Sequence, residues 1–432
     1  MSEDRIILSA STDNPVKKAR GENGKVKKVL LTFLVAGQAC LATAQISAVS
    51  PPGAAKPAGP YSPGVLVGDY LYVSGQGARG QDGTVATDPD AQAEQAIKNV
   101  QSIVRAAGLS LENVVYMQVY LENLQTLDAV NRAFSKYFPH NPPARAVLGV
   151  AKLVGTPIEI NAVAIRDLHD KKPVVLSGVQ WNEPSSPGIL TKDRLFISAM
   201  RGRDLKTGTV PSDPGEQVSL ALEGMQKVLG AAGLDMKNMV FVNPYLTGDI
   251  PMKVMNHIYA QRFEFGNTPA RATIKVEALP DNAQIEFTGV AVRDLSTRQA
   301  VRPKNMAPSP TASPCVFAGD TLYCSAKSGF IPGPNGGVFV ERIDQQLRQT
   351  MRNLLDNLEE AGLTWRSVVS TNVYLDNVDE FQAMNEIYAK YFKDPLPART
   401  TIQQVKPVDR SSNSEGIYPE IEQISLIAVR TH

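Results

Sequence analysis

From Gly64 onward the chain changes hydrophobic rhythm several times. Gly64–Val67 and Tyr70–Ser74 are short apolar, partly aromatic runs on either side of Gly68-Asp69, which reads as a hairpin around a two-residue turn. Asp88-Pro89 then opens a stretch in which Ala93, Ala96, Ile97, Val100, Ile103, Val104 and Ala107 share one helical face. Asp is the cap, Pro fits the first turn, and Gly108 ends the helix. Val114–Leu121 alternates as a strand. Leu127, Val130, Phe134 and Tyr137 mark a second helix. Ala144–Leu153 and Ile158–Arg166 are the last strands. The order ββαβαββ predicts an α+β domain with both helices on one sheet face, so the other face needs a cover.

The same pattern recurs twice. PGVLVGDYLYVSG at Pro63 returns as PGILTKDRLFISA at Pro187 and PCVFAGDTLYCSA at Pro314. A Pro-Ala-Arg triplet places Arg145, Arg271 and Arg399 at spacings of 271 − 145 = 126 and 399 − 271 = 128 residues. AVNRAF, VMNHIY and AMNEIY supply Asn131, Asn256 and Asn385. Such a period is too long for a solenoid unit, so each copy is a domain. Polar, proline-bearing joins near Leu168–Pro184 and Leu295–Pro310 divide the chain into domains at 45–170, 171–296 and 297–432. Three like sheets can cover one another. The expected assembly is a ring inside one chain, a pseudo-trimer that needs no second copy.

Composition narrows the chemistry. The chain has 432 residues, 43% of them hydrophobic, and its 44 basic against 43 acidic residues leave a net charge of +1. That balance argues against nucleic acid or an anionic membrane as partner. The four histidines, His140, His169, His257 and His432, lie at no ligand spacing, so no metal is expected. Residues 1–44 read as a signal peptide with an N-terminal extension: Lys25–Lys28 is basic, VLLTFLVAGQACLA is apolar but short for a span, and Ala42-Thr43-Ala44 offers a cleavage site before Gln45. The expected location is periplasmic or secreted, with no membrane attachment after cleavage. A buried or anchoring segment in a cytoplasmic protein is the alternative. Cys315 and Cys324 flank a hairpin turn at Gly319-Asp320, which puts them opposite each other in a non-hydrogen-bonded pair. A disulfide and two buried thiols both remain open.

Each arginine offers a planar fork of donors that suits bidentate capture of a small carboxylate, or alternatively a structural ion pair between modules. Glu159 and Glu286 sit in the closing strands, and Gln423 takes that place in copy three. In a desolvated crevice such a glutamate can handle a proton or orient water; on an exposed strand it does neither. Were the last two strands a plain hairpin, Arg145 would lie roughly 20 Å along the ladder from Glu159. The two can then cooperate only across an intervening strand or with a neighbouring copy, which points to the seams. Ser74, Ser198 and Ser325 recur, but no His recurs with them. Hydroxyl or backbone donation to a ligand is expected of them ahead of a serine–lysine hydrolase.

These markers together resemble the Rid family, the reactive enamine/imine deaminases also called YjgF-like proteins. GPYSPGV, VSGQ, AAGL, AVNRAF, PPARA and IEINAVAI carry the likeness in copy one, and it extends more loosely from Gly59 to the end of the chain. The resemblance implies chorismate-mutase-like domains with a ligand site at each seam. It also implies hydrolysis of 2-imino or 2-enamino acids to 2-oxo acids and ammonia, without metal or cofactor. Arg145, Arg271 and Arg399 would grip the substrate carboxylate, and Glu159 and Glu286 would place the water. Tyr61, Ser74, Gly75, Asn131, Ser198, Asn256, Ser325 and Asn385 would line the sites. Copy two has Ser185 for the tyrosine and Ala199 for the glycine; copy three has Ala312, Ala326 and Gln423. The partner is thus a small carboxylate, and the rival to turnover is a non-catalytic periplasmic binder of such acids.

Overall fold

The computed structural model describes residues 45–54, 56–333 and 336–431; the signal-peptide expectation lies outside them. Among the described residues no helix is long and apolar enough to cross a membrane.

Copy one comprises β1 (Ser47–Val49), β2 (Gly64–Val67), β3 (Tyr70–Gly77), α1 (Pro89–Ala106), β4 (Val114–Leu121), α2 (Leu127–Tyr137), β5 (Ala144–Gly149), β6 (Lys152–Leu153) and β7 (Ile158–Ile165). Copy two runs through β8 (Lys172–Pro173), β9 (Gly188–Leu190), β10 (Arg194–Arg201), α3 (Pro214–Ala231), β11 (Met239–Leu246), α4 (Met252–Ala260), β12 (Ala270–Arg271), β13 (Ile274–Lys275) and β14 (Ile285–Val292). Copy three has β15 (Arg298–Val301), β16 (Cys315–Ala318), β17 (Thr321–Ser328), α5 (Ile343–Glu360), β18 (Val368–Leu375), α6 (Phe381–Tyr388), β19 (Ala398–Gln403) and β20 (Glu422–Val429). The chain is therefore three tandem α+β domains.

Local chemistry fixes the helices. Asp88 accepts a hydrogen bond from the Ala91 N–H, Pro89 occupies the first turn, and Gly108 leaves the helix at φ +76. Asp213 and Pro214 repeat the device in copy two. The α1 face of Ala93, Ile97, Val100 and Val104 is fully buried against the sheet.

The first sheet has the order β1-β2-β3-β7-β4-β5. β4 intervenes between the last two strands and pairs parallel with β5, so no terminal hairpin forms. The expected single strand Ala144–Leu153 is broken: β6 leaves to pair with β19 of copy three, Lys152 opposite Gln403. Copies one and two meet through a bridge between Gly149 and Ala278. The faces away from the helices pack together. One shared core joins Tyr120, Phe241 and Tyr374, and another joins Val65, Phe196 and Val369, in each case one residue from each copy. Sheets with one apolar face exposed singly are thus closed by their own repeats.

Cys315 lies opposite Cys324 in the hairpin register, and the two form a disulfide across a Cα separation of 4.0 Å. Both are fully buried.

Candidate functional site

Each seam carries one arginine and the closing strand of another copy. In cleft A, copy three supplies Arg399 and copy one supplies Glu159, Tyr61 and Gly75, around a cavity of about 690 Å³. In cleft B, of about 480 Å³, Arg145 and Asn131 of copy one meet Ala199 and Arg201 of copy two. In cleft C, of about 720 Å³, Arg271 and Asn256 of copy two meet Ala326 and Gln423 of copy three. The expected partners Arg145 and Glu159 thus serve different clefts. Arginine and glutamate of one copy sit on strands two ladders apart, and only a neighbouring copy closes the gap.

The recurring serines hold the seams: the donors expected to face a ligand on Ser74, Ser198 and Ser325 are engaged within the protein. Ser74 Oγ donates to the Ser62 carbonyl at 2.6 Å and accepts from the Arg399 N–H at 2.8 Å. Ser198 does the same with Ser186 and Arg145, and Ser325 with Ser313 and Arg271. Their backbone N–H groups donate to Pro63, Pro187 and Pro314. With both donors spent, nothing on these residues is left to give a substrate. Asn131 and Asn256 likewise turn to the arginines, accepting from Arg145 Nη2 and Arg271 Nη1 at 2.8 Å each.

Unsatisfied polar atoms are buried beside cleft A. The Arg399 guanidinium lies among the rings of Tyr61, Phe381 and Tyr388, with centroids 5.0, 5.3 and 4.9 Å away. Arg399 is 3% exposed, yet its Nη2 has no hydrogen-bond partner among the described residues, and neither amide atom of Asn385 has one. Buried donors without partners are costly, and this one is packed against Gly59 in the wall of the cleft. Burial pushes the Glu159 carboxyl up to about 7, against the pull of Arg399 and a hydrogen bond from the Thr401 main chain. Burial, then Glu159, also raise the Tyr61 phenol, which stays neutral and able to donate. Gly75 makes room for Glu159 as it stands: a Cβ on it would lie 1.9 Å from Glu159 Oε1.

Cleft B has the residue types but another arrangement. Ala199 supplies the methyl that Gly75 omits. Arg201 lies opposite Glu286 in the strand register, where copy one has Gly77 opposite Glu159. Arg201 Nε comes within 4.0 Å of Glu286 Oε2. Glu286 is wholly buried, and burial pushes it up to about 8 despite Arg201. Arg201 and Arg203 each pair with both Glu183 and Asp281. Glu183 also attracts Arg145, whose pKa burial lowers to about 10. A carboxylate of the chain itself therefore sits among the arginines of this cleft. In cleft C, Gln423 Nε2 donates to the Thr273 carbonyl and to Gln404 Oε1, both at 3.1 Å, so its amide is tied into the wall.

Sequence reasoning missed the Phe381 and Tyr388 walls and the network of Glu183, Arg201, Arg203 and Asp281. Aligning SGQGAR, SAMRGR and SAKSGF would have singled out Arg201.

The Endoribonuclease L-PSP family matches the chain three times, at residues 52–166, 180–293 and 304–415. The chain belongs to this family. Among curated L-PSP relatives, the human 2-iminobutanoate/2-iminopropanoate deaminase is 43% identical over 124 residues, 28% of this chain and 88% of that one. The protein of the same name from Dermatophagoides farinae is 33% identical over 27% of this chain and 94% of its own. A RutC family protein of Saccharolobus solfataricus is 40% identical over 26% of this chain and 90% of its own. Among solved structures, the YjgF gene product of E. coli is similar at 34% identity over 28% of this chain and 99% of that chain, with a TM-score of 0.27. Each L-PSP relative thus spans one copy of the repeat, and this chain carries three.

Proposed function

We propose that the protein hydrolyses 2-imino or 2-enamino acids to 2-oxo acids and ammonia, and that cleft A alone turns over. The observation that carries this is that the Arg399 side chain and a buried glutamate poised near neutrality line the same cavity. Deaminase relatives at 33–43% identity support the reaction class.

The chemistry asks little of the protein. Arg399 would take the substrate carboxylate, and the neighbouring rings would keep the guanidinium oriented. A water held by Glu159 would add to the imine carbon as the carboxylate takes its proton. That proton would then pass to nitrogen, and the carbinolamine would collapse to the 2-oxo acid and ammonia. The imine carbon is already electrophilic, so proximity and one proton carrier suffice. Cleft B pairs its glutamate with Arg201, and cleft C, although Glu420 lines it, has Gln423 at the position of Glu159, so both would at most bind.

The test is ammonia release from imines generated in situ by an amino acid oxidase. Wild type should accelerate it. Arg399→Ala and Glu159→Gln should each lower kcat/KM by about 30-fold or more, as expected for losing a charge-assisted contact or the proton carrier. Arg145→Ala and Arg271→Ala should change it less than about twofold. No acceleration by wild type, with 2-oxo acids still protecting it thermally, would instead establish a binder of small carboxylates.

A further inference from the structure

Cleft A carries more positive charge than one carboxylate needs. Lys56, Arg79, Lys98 and Arg399 line it, while Glu159 is its single lining carboxyl and burial favours that group's neutral form. Lys98 is paired with Glu94. Arg79 is not paired with any carboxylate among the described residues: its guanidinium donates to the Gly83 carbonyl and, at 2.9 Å, to the Gly155 carbonyl. Those two bonds use two of its five N–H donors and hold the fork in place over the cavity rim. Three donors remain for something else.

The second copy shows what a guanidinium at this position takes. Counting from the seam serines, Arg79 follows Ser74 by five residues and Arg203 follows Ser198 by five. The register agrees, since Gly77 and Arg201, each two residues earlier, face the corresponding Glu159 and Glu286. Arg203 donates to Glu183 Oε1 at 2.7 Å and to Asp281 Oδ2 at 2.6 Å. The positions matching those acids in copy one are Gly59 and Val154, which offer no carboxylate. Copy three has Phe330 in place of the arginine. Cleft B therefore fills this position with carboxylates of its own, and cleft A leaves it to a ligand.

We infer that Arg79 is a second anion anchor, which fits cleft A to a 2-imino acid bearing a second carboxylate, a 2-imino dicarboxylate. Arg399 is docked at Ser74, and Arg79 lies five residues further along the same chain segment. At roughly 3.3 Å per residue that is about 16 Å of backbone, shortened by the bulge between Val73 and Gln76. Both arginines line the one cavity of about 690 Å³, which has room for a short carbon chain with an acid at each end. Along that segment Glu159 faces Gly77, which falls between Ser74 and Arg79, and there the imine carbon would fall. This assignment rests on the deaminase reading only for the identity of the reacting group.

The experiment compares imines made in situ from glutamate or aspartate with the imine made from 2-aminobutyrate. Wild type should favour the dianionic imines in kcat/KM. Arg79→Ala should lower their kcat/KM on the order of tenfold, mainly through KM, and leave the 2-aminobutyrate imine within twofold. Arg79→Lys should recover part of the loss. Val154→Asp, which offers Arg79 an internal carboxylate of the kind Asp281 gives Arg203, should mimic Arg79→Ala. Equal losses on both imine classes, or no loss on either, would overturn the assignment. If wild type accelerates no imine, thermal shifts with 2-oxoglutarate and 2-oxobutanoate decide separately. A preference for 2-oxoglutarate that Arg79→Ala abolishes upholds the second anchor without the deaminase reaction; no preference removes it.

Discussion

The hydroxyl of Ser74 lies 2.8 Å from the main-chain nitrogen of Arg399, a residue 325 positions further along the chain. The same hydroxyl donates to Ser62, whose own N–H donates to Pro397 at 3.1 Å. Four residues from the two ends of the described chain are thus tied at the floor of cleft A. This tie sets the backbone of the arginine, and the rings around its side chain set the direction of the fork.

Ser74→Ala should therefore act through the seam. It leaves a buried N–H and a buried carbonyl without partners, a loss of about 2 kcal/mol. Chemical denaturation should show that loss, and binding of a 2-oxo acid at cleft A should weaken with it. A fully stable variant with unchanged binding would show that the seam does not depend on this hydroxyl.

Cleft B should be recoverable by restoring what copy one has. In an Arg399→Ala background, Ala199→Gly with Arg201→Gly gives Glu286 the room of Glu159 and removes its guanidinium neighbour. Arg145 already offers an unpartnered Nη1 there. The imine hydrolysis lost in Arg399→Ala should be regained in the triple variant. Continued silence, with the fold intact by circular dichroism, would mean that the Glu183 carboxylate still blocks the cleft.

Activity should rise with pH through about 7. Glu159 must be ionised to take a proton from water, and burial places its titration there. The ionised fraction rises from about a tenth at pH 6 to about nine tenths at pH 8. The kcat/KM profile should show that limb, and Glu159→Gln should flatten what activity remains. A wild-type profile level from pH 6 to 8 would remove Glu159 from the proton-handling role.

Stability should fall as pH rises above about 5. Glu422 is 1% exposed, accepts from Thr350, and is pushed up to about 8 by burial and by Glu420. Unfolded, it would titrate near 4.3. Between those values the unfolded chain has lost a proton that the folded chain keeps, so rising pH favours unfolding. Wild type should lose denaturation midpoint between pH 5.5 and 8.5, and Glu422→Gln should lose less. Glu286, also raised, leaves a residual slope.

Much of this was legible in the residues. The caps at Asp88 and Asp213, the periodic face of α1 and the hairpin register of Cys315 and Cys324 follow from local rules, and the structure reproduces them. The insertion of β4 between β5 and β7 was not legible, because hydrophobic alternation fixes which way a strand faces and says nothing about its neighbours. The serines were misjudged for a related reason. A hydroxyl that recurs once per copy looks available until the carbonyl and N–H it serves, far away in sequence, are placed beside it.

The amino-acid sequence by itself determined the threefold repetition, the α+β character of each copy and the set of arginines, glutamates and asparagines from which sites could be made. Those are consequences of period, propensity and chemical type, which are local. Only the tertiary structure decided that Arg399 shares a cleft with Glu159, Arg145 with Arg201, and Arg271 with Gln423. Side chains meet in these clefts because three sheets bury their apolar faces against each other. The pairing across each seam is set by that packing, which no stretch of the chain can specify alone.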